Sequence, residues 1–188
     1  MTMPTRLRKF ALTAHVASSV GWLGAVVVFL ALGVLALTSQ DAQTVRGVYL
    51  VMEPAAWAVL VPLGFASLLT GIVQSLGTTW GLFRHYWVLF KLGMNLFATL
   101  VLLLYMRTLR FLGDIAADPT SAGADLSDLR DPSPLIHSIG ALLLLLAALT
   151  LSVFKPRGMT RYGQRKQRER GQPQRAAALV APAASDSP

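Results

Sequence analysis

Residues 10–37 read FALTAHVASSVGWLGAVVVFLALGVLAL and contain no formal charge. A membrane helix needs roughly 20 mostly apolar residues to cross about 30 Å of hydrocarbon, and this stretch exceeds that. Arg6, Arg8 and Lys9 precede it, as basic residues precede a signal peptide. The apolar run is nevertheless about twice the usual length of a signal core, and no small-residue cleavage site follows it. The stretch therefore reads as a retained span, with tilt or an interfacial first turn absorbing the excess length.

Three further segments qualify as spans. They cover about 54–76, 86–106 and 135–154. The third span holds one charge, Lys91, and the fourth includes the unbroken run Leu142 to Leu146. Composition agrees. Hydrophobic residues make up 54% of the chain and charged residues 14%, where soluble domains carry about 25% charged. The expected fold is all-α, a polytopic membrane four-helix bundle over residues 1–154. A basic cytoplasmic tail follows over 155–188, rich in Ala, Pro and Ser and expected to be disordered because it holds few apolar anchors. Asp131-Pro132-Ser133-Pro134 offers Ser133 as an N-cap and Pro134 as a first-turn residue of the fourth helix. Pro62 falls inside the second span and is expected to kink it.

Lys and Arg counts set orientation. With the N-terminus inside, twelve basic residues fall on inner segments and four, Arg46, Arg107, Arg110 and Arg130, on outer ones. Both termini are therefore expected in the cytoplasm, in a bacterial cell (inner) membrane. The acids Asp114, Asp118, Asp125, Asp128 and Asp131 suit an exposed outer loop. Eight of the seventeen basic residues lie between Lys155 and Arg175. That concentration is a tail rather than a nucleic-acid-binding face. It reads as a topology signal or as a binder of anionic lipid headgroups.

There is no cysteine, which excludes disulfides, iron–sulfur clusters, thiolate zinc sites and cysteine nucleophiles. No nucleotide-binding loop or Ser-His-Asp set is visible. No His-x-x-x-His, Glu-x-x-His or acidic cluster lies within the spans, which argues against a di-metal carboxylate site.

Polar side chains recur at helical spacing on three spans. His15, Ser18, Ser19 and Trp22 share one face of the first, Ser67, Thr70, Gly71 and Gln74 one face of the second, and Lys91, Asn95 and Thr99 one face of the third. At about 1.5 Å per residue, His15 and Lys91 reach similar depth in the cytoplasmic half, whereas the outer half has no comparable set. Ionisable residues in lipid usually face the bundle, so the stripes predict one polar site among these three helices. Plainer readings compete: Ser, Thr and Gln as helix glue, Lys91 snorkelling to the headgroups, and His15 bonded to any neighbour. Ala17, Gly21 and Ala25 recur every fourth position and suit close helix contact. Trp57, Trp80, Tyr86 and Trp87 sit near span ends, where aromatic belts form. His85 lies on the same side as His15, so a joint site requires adjacent helices. His137 lies too far from His15 to share a metal.

Two segments carry a resemblance. His15-Val16-Ala17-Ser18-Ser19-Val20-Gly21-Trp22-Leu23-Gly24 and Tyr86-Trp87-Val88-Leu89-Phe90-Lys91-Leu92 resemble the first-helix and third-helix motifs of copper-resistance D-type membrane proteins, of four-helix haem-binding protoporphyrinogen oxidases, and of related actinobacterial-type integral membrane proteins. The ending Lys155 to Gly163 is similar to that last group's. The resemblance implies that His15 and Lys91 are functional residues and that haem b is bound. In that reading His15 is the axial ligand. Lys91 holds a propionate, serves as second ligand or carries a proton, Trp22 packs on the ring, and Asn95 completes the site. The long acidic loop and basic tail depart from the oxidase pattern. Three functions follow as alternatives: a small membrane subunit or scaffold with a membrane partner or a second copy, a haem- or porphyrin-linked redox protein, and a copper or small-solute transport component.

Overall fold

The computed structural model describes residues 3–77, 82–118, 129–154, 156 and 158–180, with side chains described through Glu169 and at Gln172. Its elements are α1 (Thr5–Thr38), α2 (Ala42–Ala55), a π-helical segment (Ala56–Leu60), α3 (Val61–Gly77), α4 (Tyr86–Ala117), α5 (Ser133–Phe154) and α6 (Arg161–Val180). Four stretches are long and apolar enough to cross a membrane: Thr5–Thr38, Ala42–Gly77, Tyr86–Ala117 and Ser133–Phe154. The chain is thus a multi-pass, all-α membrane protein, as the hydropathy pattern requires. Its outer surface fits lipid: Phe154 is 78% exposed, Phe10 71% and Phe90 66%, where a soluble bundle would turn such rings inward.

Residues on α1 bury themselves at steps of four and three: Ala11, His15, Ser18, Trp22, Val26, Phe29, Gly33 and Ala36. That spacing is the seam of a left-handed helical bundle. Helices α2, α3 and α5 all pack on α1, and α4 packs on α2, α3 and α5. Gly33 brings α1 against the backbone of α5. A Cβ there would lie 3.1 Å from the amide nitrogen of Leu135. Of the expected small-residue stripe, Ala17 is exposed, Gly21 lies against α3, where a Cβ would be 3.5 Å from the Leu63 side chain, and Ala25 packs half-buried against the core.

The second span starts earlier than its hydropathy suggested, at Ala42 rather than about Pro54. Asp41 caps it by accepting hydrogen bonds from the backbone N–H groups of Gln43 and Thr44. Its irregularity is not a kink at Pro62 but the π segment Ala56–Leu60, lying between Pro54 and Pro62. The wider turn routes the N–H of Val61 back five residues to the carbonyl of Ala56, so the disturbance that two prolines impose is absorbed just before Pro62. Trp57 consequently sits within a long helix rather than at a span end. Trp80 lies outside the described residues, and Tyr86 does open α4. At the start of α5 the capping side chain is Asp131, whose Oδ1 accepts from the Ser133 N–H at 2.8 Å. The Ser133 hydroxyl is used elsewhere.

Over 161–180 the tail departs most from expectation, while 181–188 lie outside the described residues. Arg161–Val180 is helical, because Arg, Gln, Glu, Lys and Ala are good helix formers and Thr160 supplies a cap. The Thr160 hydroxyl accepts from the Gly163 N–H at 3.0 Å and donates to the carbonyl of Phe83 at 2.6 Å. The Thr160 N–H reaches the Arg84 carbonyl at 3.0 Å, and the Tyr86 N–H reaches the Gly158 carbonyl at 3.4 Å. The start of the tail is therefore fixed to the α3–α4 connection by backbone hydrogen bonds, which a search for apolar anchors does not register.

Candidate functional site

The three polar stripes meet. Helix α3 runs antiparallel to α1, so each step of three or four residues along α1 is matched by an equal step back along α3. Trp22 packs on Gly64, where a Cβ would lie 3.2 Å from the indole, and His15 packs on Gly71, where a Cβ would lie 3.2 Å from the imidazole Cε1. The two glycines, seven residues apart, make room on α3 for two rings seven residues apart on α1. Helix α4 adds Lys91 and Asn95 from the other side.

Two rungs result. In the first, His15 Nδ1 lies 3.1 Å from the Thr70 hydroxyl and His15 Nε2 lies 3.3 Å from Lys91 Nζ. In the second, the Ser67 hydroxyl lies 2.9 Å from that of Ser19 and accepts from the Asn95 amide at 3.1 Å. Below them the Thr99 hydroxyl donates to the Asn95 carbonyl at 2.9 Å. Within α1 the Ser18 hydroxyl donates to the His15 carbonyl at 3.1 Å. His15, Ser18, Ser67 and Thr99 are buried, and Lys91 and Asn95 half-buried. Gln74, on the same face of α3, is also half-buried.

The network fixes its own bond directions. The Thr70 hydroxyl donates to the Ala66 carbonyl, so it accepts from His15, whose proton then sits on Nδ1. Nε2 is left with its lone pair and accepts from the Lys91 ammonium. The chain therefore runs from Lys91 to His15 to Thr70 and stops at a backbone carbonyl. Lys91 turns to His15 and does not snorkel.

This geometry also tests the haem expectation. An axial-ligand role needs a free imidazole nitrogen, and both nitrogens of His15 are engaged. A ring-stacking role needs an open indole face, and Trp22 is 3% exposed against α3. The residues present do not fit a porphyrin in this arrangement. Among the described residues no group of three or more His, Cys, Asp or Glu side chains could hold a metal ion. His85 pairs with Met159 in an isolated bridge, with its ring 6.4 Å from that of Trp87.

A second cluster, which the stripes did not foreshadow, lies at the opposite end of the bundle. The rings of Tyr105 and His137 stack at 3.9 Å between centroids and 20° between planes. The Ser133 hydroxyl bonds the Tyr105 hydroxyl at 3.2 Å and lies 3.3 Å from His137 Nδ1. Nearby loops are tied by Arg130 to the Ser39 carbonyl and to Gln40, and by Arg46 to the Asp118 carbonyl. Each helix supplies one or two members, so no helical periodicity announces the cluster. Asp125 and Asp128 lie outside the described residues.

No protein-family model, no curated protein and no solved structure matches the chain.

Proposed function

We propose that the chain is a small helical subunit or scaffold of the bacterial cell (inner) membrane, with both termini in the cytoplasm. Its polar ladder is the lock that holds α1, α3 and α4 in one register, so that the bundle presents a fixed surface to a membrane partner or a second copy. One observation carries this reading: the hydrogen-bond chain from Lys91 through His15 and Thr70 ends on the Ala66 carbonyl. A chain that terminates on a carbonyl has no onward acceptor for a proton, and both imidazole nitrogens of His15 and the Thr70 hydroxyl are spent on another helix or on their own backbone. Such a site joins helices. The basic asymmetry, twelve inner against four outer residues, supports the orientation. The resemblance to copper-resistance D-type and haem-binding proteins supports the importance of His15 and Lys91 without requiring their chemistry.

The test is a double-mutant cycle of His15→Leu and Lys91→Met, read as thermal unfolding in detergent, together with one absorption spectrum. Coupling of roughly 0.6–1.7 kcal/mol is expected, with no Soret band. A Soret band in the purified protein that His15→Leu abolishes would overturn the scaffold reading in favour of a haem protein. Stoichiometric copper would do the same for metal handling. Reporter fusions after Phe154 and near Asp114 test the orientation, and an external tail refutes it.

A further inference from the structure

The mouth of an apolar groove and the base of a cationic helix meet at one residue, Tyr86. The groove runs between α4 and α5 and is lined by Tyr86, Phe90, Gly93, Phe97 and Leu144, among others. Its floor is open at Gly93, where a Cβ would meet nothing within 4 Å. From Tyr86 to Phe97 it extends roughly 16 Å at the helical rise, about one leaflet's share of a ~30 Å hydrocarbon core. The face of α4 that carries it is distinct from the one that bears Lys91 and Asn95.

The tail is fixed at the mouth of this groove. The Tyr86 N–H bonds the Gly158 carbonyl, and Gly158 lies against the Tyr86 ring, 3.8 Å from a would-be Cβ. Thr160 holds the next turn to Phe83 and Arg84. Gly163 is buried against the Arg84 carbonyl so closely that a side chain would collide with it. From this anchorage α6 presents Arg161, Arg165 and Arg168 at i, i+4 and i+7, on one exposed face. Lys166 lies over the Tyr162 ring. The acid among them is Glu169, already paired with Arg165 at 3.2 Å.

We infer that this junction binds one anionic phospholipid of the adjoining leaflet. An acyl chain lies along the groove from Tyr86 to Phe97, and the phosphate sits on the arginine face of α6. Charge complementarity selects the headgroup, and the length and apolar lining of the groove select the chain. The docked Thr160 turn holds the two halves together, which separates a defined site from diffuse attraction of a basic tail to a charged surface. The inference is independent of the ladder and of the scaffold reading.

Native mass spectrometry of the delipidated full chain tests it, titrated with phosphatidylglycerol, phosphatidylcholine or soluble glycerol phosphate. One phosphatidylglycerol should bind in preference to the other two. The triple change Arg161→Gln, Arg165→Gln, Arg168→Gln should weaken it about a hundredfold, at on the order of fivefold per charge. Gly93→Leu, which fills the groove without touching a charge, and Thr160→Val, which removes the hydroxyl bonds to the Phe83 carbonyl and to the first turn of α6 and so loosens the anchorage, should each weaken it at least tenfold. Wild-type binding in both of these variants overturns the site and leaves only surface attraction. Equal binding of phosphatidylcholine removes the headgroup half, and equal competition by glycerol phosphate removes the chain half. Either result overturns the inference.

Discussion

The ladder and the Tyr105–His137 cluster stand at opposite ends of one bundle and are built on opposite plans. The ladder is made of stripes. Each of its helices contributes at helical intervals, and the antiparallel and parallel steps keep the rungs in register over two turns. The other cluster is made of one residue from α4, two from α5 and one from the connection before α5, with His137 exposed. Burial separates them further. His15 and Ser67 are 7% and 2% exposed, so their hydrogen bonds replace an unsatisfied polar group in lipid. Water can substitute for partners at an exposed end, so bonds there contribute less. A polar residue in a membrane bundle thus binds helices in proportion to what the bond's absence would cost.

That contrast can be broken most forcefully at Gly71. A Leu there must displace the His15 ring and strand Lys91 and Thr70, so Gly71→Leu should cost about 3 kcal/mol in detergent unfolding. Gly140→Leu on α5, where a Cβ meets nothing within 4 Å, should change stability by about 0.5 kcal/mol or less. Equal effects would show that the helix contact at Gly71 is not where stability resides.

Ser67 sharpens the comparison within the ladder. Its hydroxyl serves both Ser19 and Asn95, and Asn95 Oδ1 already lacks a hydrogen-bond partner. Ser67→Ala should therefore cost about 1–2 kcal/mol. Asn95→Leu should cost less, because it removes an acceptor that was buried without a partner. The reverse order would mean that Asn95 has a partner in the membrane.

At the other end, Tyr105→Phe keeps the stack on His137 and loses one bond to Ser133. A loss of about 0.6 kcal/mol or less is expected from the same unfolding measurement. A loss as large as that of Ser67→Ala would erase the distinction between the ends.

The smallest effect concerns Asp41, outside the spans. Its bonds to the Thr44 hydroxyl and to the Thr44 and Gln43 N–H groups hold its carboxyl below the usual carboxylate range. The sign follows from the ionised form being the one favoured in the fold. The cap is at full strength above the ordinary carboxylate value and weakens as pH falls through the lowered one. Hydrogen exchange at the Gln43 and Thr44 amides, corrected for intrinsic rates, should show protection that is flat above about pH 5 and falls only under strong acid. Asp41→Ala should remove that protection at every pH. Unchanged protection in the variant would show that the cap does not hold these amides.

Much of this was legible in the chain. Apolar runs holding at most one charge dictated four spans, since a buried backbone in lipid must satisfy itself as helix. The stripes at 15, 18, 19 and 22, at 67, 70 and 71, and at 91, 95 and 99 identified the three faces that meet, because helical periodicity alone places those residues side by side. Pairing was another matter. That Lys91 faces His15 rather than the headgroups, that Thr70 sets the imidazole proton on Nδ1, and that both His15 nitrogens are consumed depend on the relative rotation and height of three helices. No single helix encodes those quantities. The early start of the second span, the π turn ahead of Pro62, the docked Thr160 and the Tyr105–His137 stack depend likewise on contacts between distant segments. Sequence determined which faces were polar and how many helices cross. Only the tertiary structure decided which atoms meet, because hydrogen bonds are set by tenths of an ångström and periodicity is set by whole turns.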